Sequence, residues 1–236
     1  LLLALVFYLH YEAPEEEQNF AMVMEMLRAA EIEDEDSNVP SPLDNLFNDL
    51  EFENPDHIAL KYYHSYHSGS AKTLKSIQIT LAARLEKFNL ESLAALTSTD
   101  ELDSPSMGEK KVALFALIPD NDSSFNFLVS ILYTQLFQQL FYSADHIHGG
   151  ALPVPVHFLM DEFANVALPK NFKNILAVCR SRNISCDIIL QNIAQLKSLF
   201  KDDWEGIIGN CDTLLYLGGN EYGTYEYLSK ILGKET

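Results

Sequence analysis

Positive charge is scarce in this chain. Only 16 Lys and Arg stand against 34 Asp and Glu in 236 residues, a net charge of −18. That balance excludes passive electrostatic binding of nucleic acid, which needs clustered Lys and Arg. It is compatible with a basic protein partner. Cysteine is rare too: Cys179, Cys186 and Cys211 show no Cys-x-x-Cys spacing, which excludes a disulfide framework and fits buried thiols in a reducing compartment. Among the histidines, His64 and His67 lie about one helical turn apart, and His146 and His148 flank Ile147. Neither pair has further ligands at a spacing that implies zinc. Long apolar runs are also missing. Leu1 to Leu9 is far shorter than the roughly 18–20 residues that span a bilayer, and it has no basic leader or cleavage site. A chain that starts inside an apolar run without Met reads as a fragment, with Leu1 in the middle of a helix. Last, no Gly-x-x-x-x-Gly-Lys-[Ser/Thr] loop occurs. Ser70-Ala71-Lys72-Thr73 imitates its end, but Ala71 and Tyr66 replace the two glycines. It reads as a helix start with Lys72 and Lys75 solvated, and Gly233-Lys234-Glu235 fails the pattern as well.

What is present suffices for a core, since 47% of the residues are hydrophobic. The acidity is concentrated: fifteen acids and one base, Arg28, lie between Tyr11 and Asp56, giving that stretch −14 of the total. The shift in composition assigns it to a domain of its own, where acidic side chains also serve as a solvated face. The first part of the chain reads as helices. Leu1–His10 is apolar on nearly all sides, as in a buried helix. Phe20, Val23, Met24 and Leu27 recur at helical spacing. Ser41-Pro42 is an N-cap followed by Pro at the first helical position, with Leu43, Leu46, Phe47 and Leu50 on one face. Leu74, Ile77, Leu81, Leu85 and Phe88 mark a further helix. Residues 1–12 are assigned to a helix at a domain junction and residues 13–106 to an all-α domain. Glu31–Ser37 reads as an acidic loop and Asp100–Gly108 as a linker.

Residues 107–236 alternate strand and helix. Strands are expected at Lys111–Ile118, Val156–Met160, Ser185–Leu190 and Asp212–Leu217. Helices are expected at Phe125–Phe141, around Phe172–Cys179, at Ile193–Phe200 and at Tyr222–Leu232, the last stopped by Gly233. Such alternation implies an α/β domain with a mostly parallel sheet and helices on both faces.

The run Val156-His157-Phe158-Leu159-Met160-Asp161-Glu162 carries the chemistry. An apolar strand ending in two adjacent carboxylates is the Walker B pattern of nucleotide-driven motors. It delivers both acids to the carboxyl edge of a sheet, where phosphate ligands bind. Asp161 can hold a Mg²⁺ shell and Glu162 can polarise an attacking water. Gln191 ends the next strand and emerges at the same edge, where a polar group can sense a γ-phosphate. Arg180, beyond the next helix, can reach a neighbouring subunit's nucleotide. Each has a plainer role. Arg180 can cap a helix C-terminus, and Gln191 can satisfy backbone groups at a strand end.

These residues carry a resemblance. Asp161-Glu162-Phe163-Ala164-Asn165, Arg180-Ser181-Arg182, Ile189-Leu190-Gln191, Gln195-Leu196-Lys197, Gly209-Asn210-Cys211-Asp212 and Leu217-Gly218-Gly219 resemble the type IV secretion coupling proteins, the TraG/TraD-type ATPases of conjugation. Tyr11-Glu12-Ala13-Pro14-Glu15-Glu16, Phe125-Asn126-Phe127-Leu128-Val129-Ser130 and Leu232-Gly233-Lys234-Glu235-Thr236 are similar to the branch on Gram-positive conjugative elements. The resemblance implies part of a RecA-like P-loop ATPase with an inserted all-α substrate-recognition domain. It implies a hexameric motor, anchored at the cytoplasmic face of the membrane, that uses ATP and Mg²⁺. Its partners would be a relaxase, the single-stranded DNA attached to it, and secretion-channel proteins. By the same resemblance Asp161 and Glu162 are the Walker B acids, Arg180 the arginine finger and Gln191 the sensor. His157 departs from the family, which often carries Arg there.

Two other readings compete with this motor. Without a phosphate cradle the chain is expected to be inactive alone, and it could be a docking module whose acidic helices bind a basic relaxase or accessory protein. A related hexameric motor for chromosome partition is the third, but the inserted helical domain speaks against it, because the segregation pumps are organised differently. A DNA-conducting channel also needs polar or basic walls, for which Lys170, Lys173 and Lys197 are the candidates.

Overall fold

The fold comes from a computed structural model, which describes residues 1–30, 40–118, 123–165, 168–169 and 171–233. The chain divides into two compact units, residues 1–102 and residues 103–236. The Glu31–Ser37 loop expected from the sequence and the terminal Lys234-Glu235-Thr236 lie outside the described residues.

The first unit is helical. It holds α1 (Leu2–Glu12), α2 (Phe20–Ala29), α3 (Pro42–Glu53), α4 (Ile58–His67), α5 (Ala71–Leu85) and the short α6 (Glu91–Leu96). Helix α1 buries Ala4, Leu5 and Leu9 and packs chiefly on α4. Leu3 and Val6 are exposed, so α1 is buried along one stripe and not all round. Helix α2 starts where the Asn19 side chain accepts from Met22 N–H at 3.0 Å. Helix α3 opens on a full capping box: Ser41 Oγ accepts from Asp44 N–H at 3.1 Å, and Asp44 Oδ2 accepts from Ser41 N–H at 2.8 Å. Leu43, Phe47 and Leu50 then face inward, with the Phe47 and Tyr63 rings stacked 3.8 Å apart. Ser70 caps α5, so Ser70-Ala71-Lys72-Thr73 is a helix start. Helix α5 buries none of its residues fully, and Ile77 and Ile79 remain exposed.

The second unit holds α7 (Asn126–Tyr142), β1 (Val156–Met160), α8 (Phe172–Cys179), β2 (Ile184–Ile188), α9 (Ile193–Phe200), α10 (Trp204–Gly209) and α11 (Tyr222–Leu232). Strands β1 and β2 pair in parallel, Val156 opposite Ile184 through Met160 opposite Ile188. Successive side chains alternate between faces. One face turns Phe158, Met160, Ile184 and Cys186 toward a core built on Phe137, Leu140, Phe163, Phe172, Leu196 and Ile207. His157, Leu159, Ser185 and Asp187 occupy the other face and are exposed. There His157 bridges the strands, its Nδ1 2.7 Å from Ser185 Oγ and its Nε2 3.1 Å from Asp187 Oδ2.

Two expected strands do not form. Residues 111–118 and 212–217 join no ladder, and their apolar side chains lie open: Phe115 is 85% exposed, Leu117 95% and Leu217 89%. Apolar β-formers favour a pleated, half-buried surface, but a strand also needs a neighbour to take its N–H and C=O groups. The expectation of helices on both sheet faces also fails: among the described residues only one face is covered. Strand β2 also ends at Ile188, two residues before the expected Leu190.

Candidate functional site at the carboxyl edge of the sheet

Parallel pairing puts the ends of β1 and β2 side by side. The ladder runs slightly past both strands: Ile189 N–H donates to Met160 C=O at 3.1 Å, and Phe163 N–H donates to Ile189 C=O at 3.1 Å. Phe163, fully buried against Phe172 and Phe200, anchors the turn after β1 in the core. The chain then presents a shallow cleft of about 130 Å³ lined by Asp161, Glu162, Ala164, Asn165, Ile189, Leu190, Gln191 and Gln195. Three residues expected at the site, Asp161, Glu162 and Gln191, therefore meet in one place.

Their local geometry is tightly held. Asp161 Oδ1 accepts from Glu162 N–H at 3.0 Å. Glu162 has a φ of +46°, a left-handed conformation that costs a non-glycine residue roughly 1–2 kcal/mol. Its Oε2 accepts from Asn165 Nδ2 at 2.8 Å. Gln191 donates its backbone N–H to Gln195 Oε1 at 2.9 Å, and its carboxamide makes no hydrogen bond among the described residues. Gln195 sits in the first turn of α9, where Asn192 Oδ1 caps the helix by accepting from Gln195 N–H at 3.0 Å.

Arg180 is elsewhere. It follows α8 and precedes β2, which places it toward the amino edge of the parallel pair. Its side chain is 88% exposed and meets Asp212 at 3.8 Å. Among the described residues nothing folds Arg180 into the cleft. Of the candidate channel lysines, Lys173 pairs with Asp203 and Lys197 lies over the Trp204 ring, 4.5 Å from its centroid. Lys170 is outside the described residues. Asn165 and Gln195 join the cleft beside the three expected residues. The signal for them is spacing: Asn165 stands three residues after Glu162 and Gln195 four after Gln191, separations that one helical turn brings together.

The donor set is chemically specific. Two adjacent carboxylates offer hard oxygen ligands suited to Mg²⁺, and a free carboxamide at the same edge can donate to a phosphate or a water. Among the described residues no cluster of three or more His, Cys, Asp or Glu stands ready to enclose a metal ion. An ion held here would therefore keep much of its own water, as Mg²⁺ commonly does.

Fold and site together define a mixed α/β protein with an acidic edge at parallel strand ends, joined to a helical unit. The chain matches along residues 1–236 the family described as type IV secretory system conjugative DNA transfer, and it belongs to that family. It is thus a coupling-protein-like chain involved in conjugative DNA transfer through a type IV secretion system. Neither the curated proteins nor the solved structures contain a match. Among the described residues no helix is long and apolar enough to cross a membrane.

Proposed function

We propose that this chain supplies the Walker B edge of an ATP-driven, RecA-like motor that powers DNA transfer, together with an all-α domain that recognises what is transferred. The observation that carries the reading is the convergence of Asp161, Glu162 and Gln191 on one cleft at the carboxyl ends of a parallel strand pair. In that role Asp161 holds the water shell of a Mg²⁺ ion. Glu162 orients a water and takes its proton, and Gln191 reports on the γ-phosphate. When bound, Mg²⁺ offsets the charge of the phosphate oxygens. Arg180, exposed and outside the cleft, is suited to act on a neighbouring copy's site in a hexamer. The phosphate cradle is not encoded in these 236 residues, so hydrolysis is assigned to the whole gene product at the cytoplasmic face of the membrane.

The test is ATP hydrolysis by the full gene product that contains this sequence, beside its Glu162→Gln variant. Loss of turnover with nucleotide binding retained supports the motor. Turnover indifferent to Glu162 rejects it.

A second reading rests on charge. The −14 between Tyr11 and Asp56 falls on the helical unit, and Glu15, Glu16 and Glu17 are all exposed. That unit could dock a basic relaxase or accessory protein. Binding to a purified relaxase that survives Glu162→Gln and weakens steeply with salt would support docking.

A further inference from the structure

The Glu162 carboxylate is not left to find its own direction. Asn165 Nδ2 donates to its Oε2 at 2.8 Å, and Asn165 N–H donates to the Glu162 carbonyl, also at 2.8 Å. Asn165 is held in turn, because Asn126 Nδ2, at the start of α7, donates to the Asn165 carbonyl at 2.7 Å. On the other side, Glu162 N–H is fixed to Asp161 Oδ1. A left-handed Glu162 persists only because its surroundings determine it from several sides, and these four bonds do so.

We infer that Asn165 is a positioning residue for Glu162, aiming its carboxylate into the cleft, with Asn126 bracing the turn. The inference rests on the reading of Glu162 as the group that orients water. A carboxamide suits this task. It donates one hydrogen bond and carries no charge, so it aims a carboxylate without neutralising it as Lys or Arg would. It occupies Oε2 only. Oε1 accepts no hydrogen bond among the described residues and is left for a water. A carboxylate free to rotate would spend most of its time misaligned, and small misplacements of a reacting group cost rate steeply.

The test uses the full gene product that contains this sequence. Asn165→Ala should lower kcat about tenfold while KM for ATP and nucleotide affinity hold. Asn165→Asp keeps the shape of the side chain, removes the donor and sets a second carboxylate against Glu162, and it should lose at least as much rate. The thermal midpoint of Asn165→Ala should stay near the parent's, since Asn165 is exposed. In the Glu162→Gln background, Asn165→Ala should slow residual turnover no further, because a positioning effect needs the group it positions. Full kcat in Asn165→Ala beside an inactive Glu162→Gln would overturn this inference alone, as would a tenfold loss that persists in the Glu162→Gln background. Full turnover in Glu162→Gln would overturn both this inference and the reading beneath it.

Discussion

Phe163 and Ile189 are joined backbone to backbone, N–H to C=O at 3.1 Å, three residues beyond the last paired position of β1 and one beyond that of β2. That bond registers the turn after β1 against the segment after β2. It is the reason Glu162 and Gln191, which lie 29 residues apart in sequence, line one cleft. Phe163 makes the bond rigid because its ring is fully buried.

Gln195 steadies the backbone of Gln191. Its Oε1 is the acceptor for Gln191 N–H, at an exposed site where water can replace it. Gln195→Ala should therefore change stability by no more than about 0.5 kcal/mol. Turnover of the full gene product should fall by roughly tenfold, because Gln191 is freed to wander. Thermal melting and steady-state ATP hydrolysis check the two halves separately.

Thr224 ties α9 to α11. Its hydroxyl is buried, accepts from Ile193 N–H at 2.9 Å and meets Glu221 Oε2 at 2.5 Å. Thr224→Val keeps the shape and leaves the Ile193 N–H without a partner. The expected loss is about 1–3 kcal/mol, read from urea unfolding.

In the helical unit, Tyr63 Oη donates to Asp44 Oδ1 at 2.6 Å and His67 Nε2 lies 2.8 Å from the same oxygen. Burial opposes ionisation of Asp44. The hydrogen bonds from Tyr63 and Ser41, with His67 nearby, outweigh it and hold the carboxyl below its ordinary value. A depressed folded-state pKa adds stability that is present above the unfolded value of 3.8 and is lost as pH falls through the folded value. Burial, then the bond to Asp44, pushes the Tyr63 phenol up, so its share is present below the unfolded value of 10.0 and is lost above it. Tyr63→Phe should cost about 1–2 kcal/mol at neutral pH, flatten the acid limb in part and remove this alkaline share. Asp44→Asn should remove its contribution to the acid limb. Denaturation at stepped pH, followed by circular dichroism, tests both signs.

The chain has a single tryptophan, Trp204, and it lies in the α/β unit against Tyr227. Its fluorescence reports on that unit. Phe172→Ala empties the centre of the core there and should cost about 3–5 kcal/mol, moving the fluorescence transition to lower denaturant. Phe47→Ala, a core truncation of similar size in the helical unit, should cost about 3–5 kcal/mol there and move the far-ultraviolet helix signal to lower denaturant.

Local rules carried far in this sequence. Tyr222–Leu232, Ile193–Phe200 and Val156–Met160 are all found where periodicity and caps put them. Ser41-Pro42 announces α3 because a hydroxyl N-cap and a proline at the first helical position act within one turn. The adjacency of Asp161 and Glu162 was legible because the two acids close a single apolar run. The failures at 111–118 and 212–217 share a cause: a β ladder needs a partner strand, and no local pattern shows whether one is in reach.

By itself the sequence determined helix positions, the two central strands, the acidic bias of the first unit and the pair of carboxylates, because each is written within one turn, one run or a simple count. Tertiary structure alone decided that Ile189, Asn165 and Gln195 join the expected acids and Gln191 in the cleft, that Arg180 stands apart from it, that Asn165 holds Glu162 and Gln195 holds Gln191, and that among the described residues one sheet face stays open. The cleft depends on strand register between segments distant in the chain, and the two local pairs, though their spacing permits them, depend on side-chain directions that spacing does not fix.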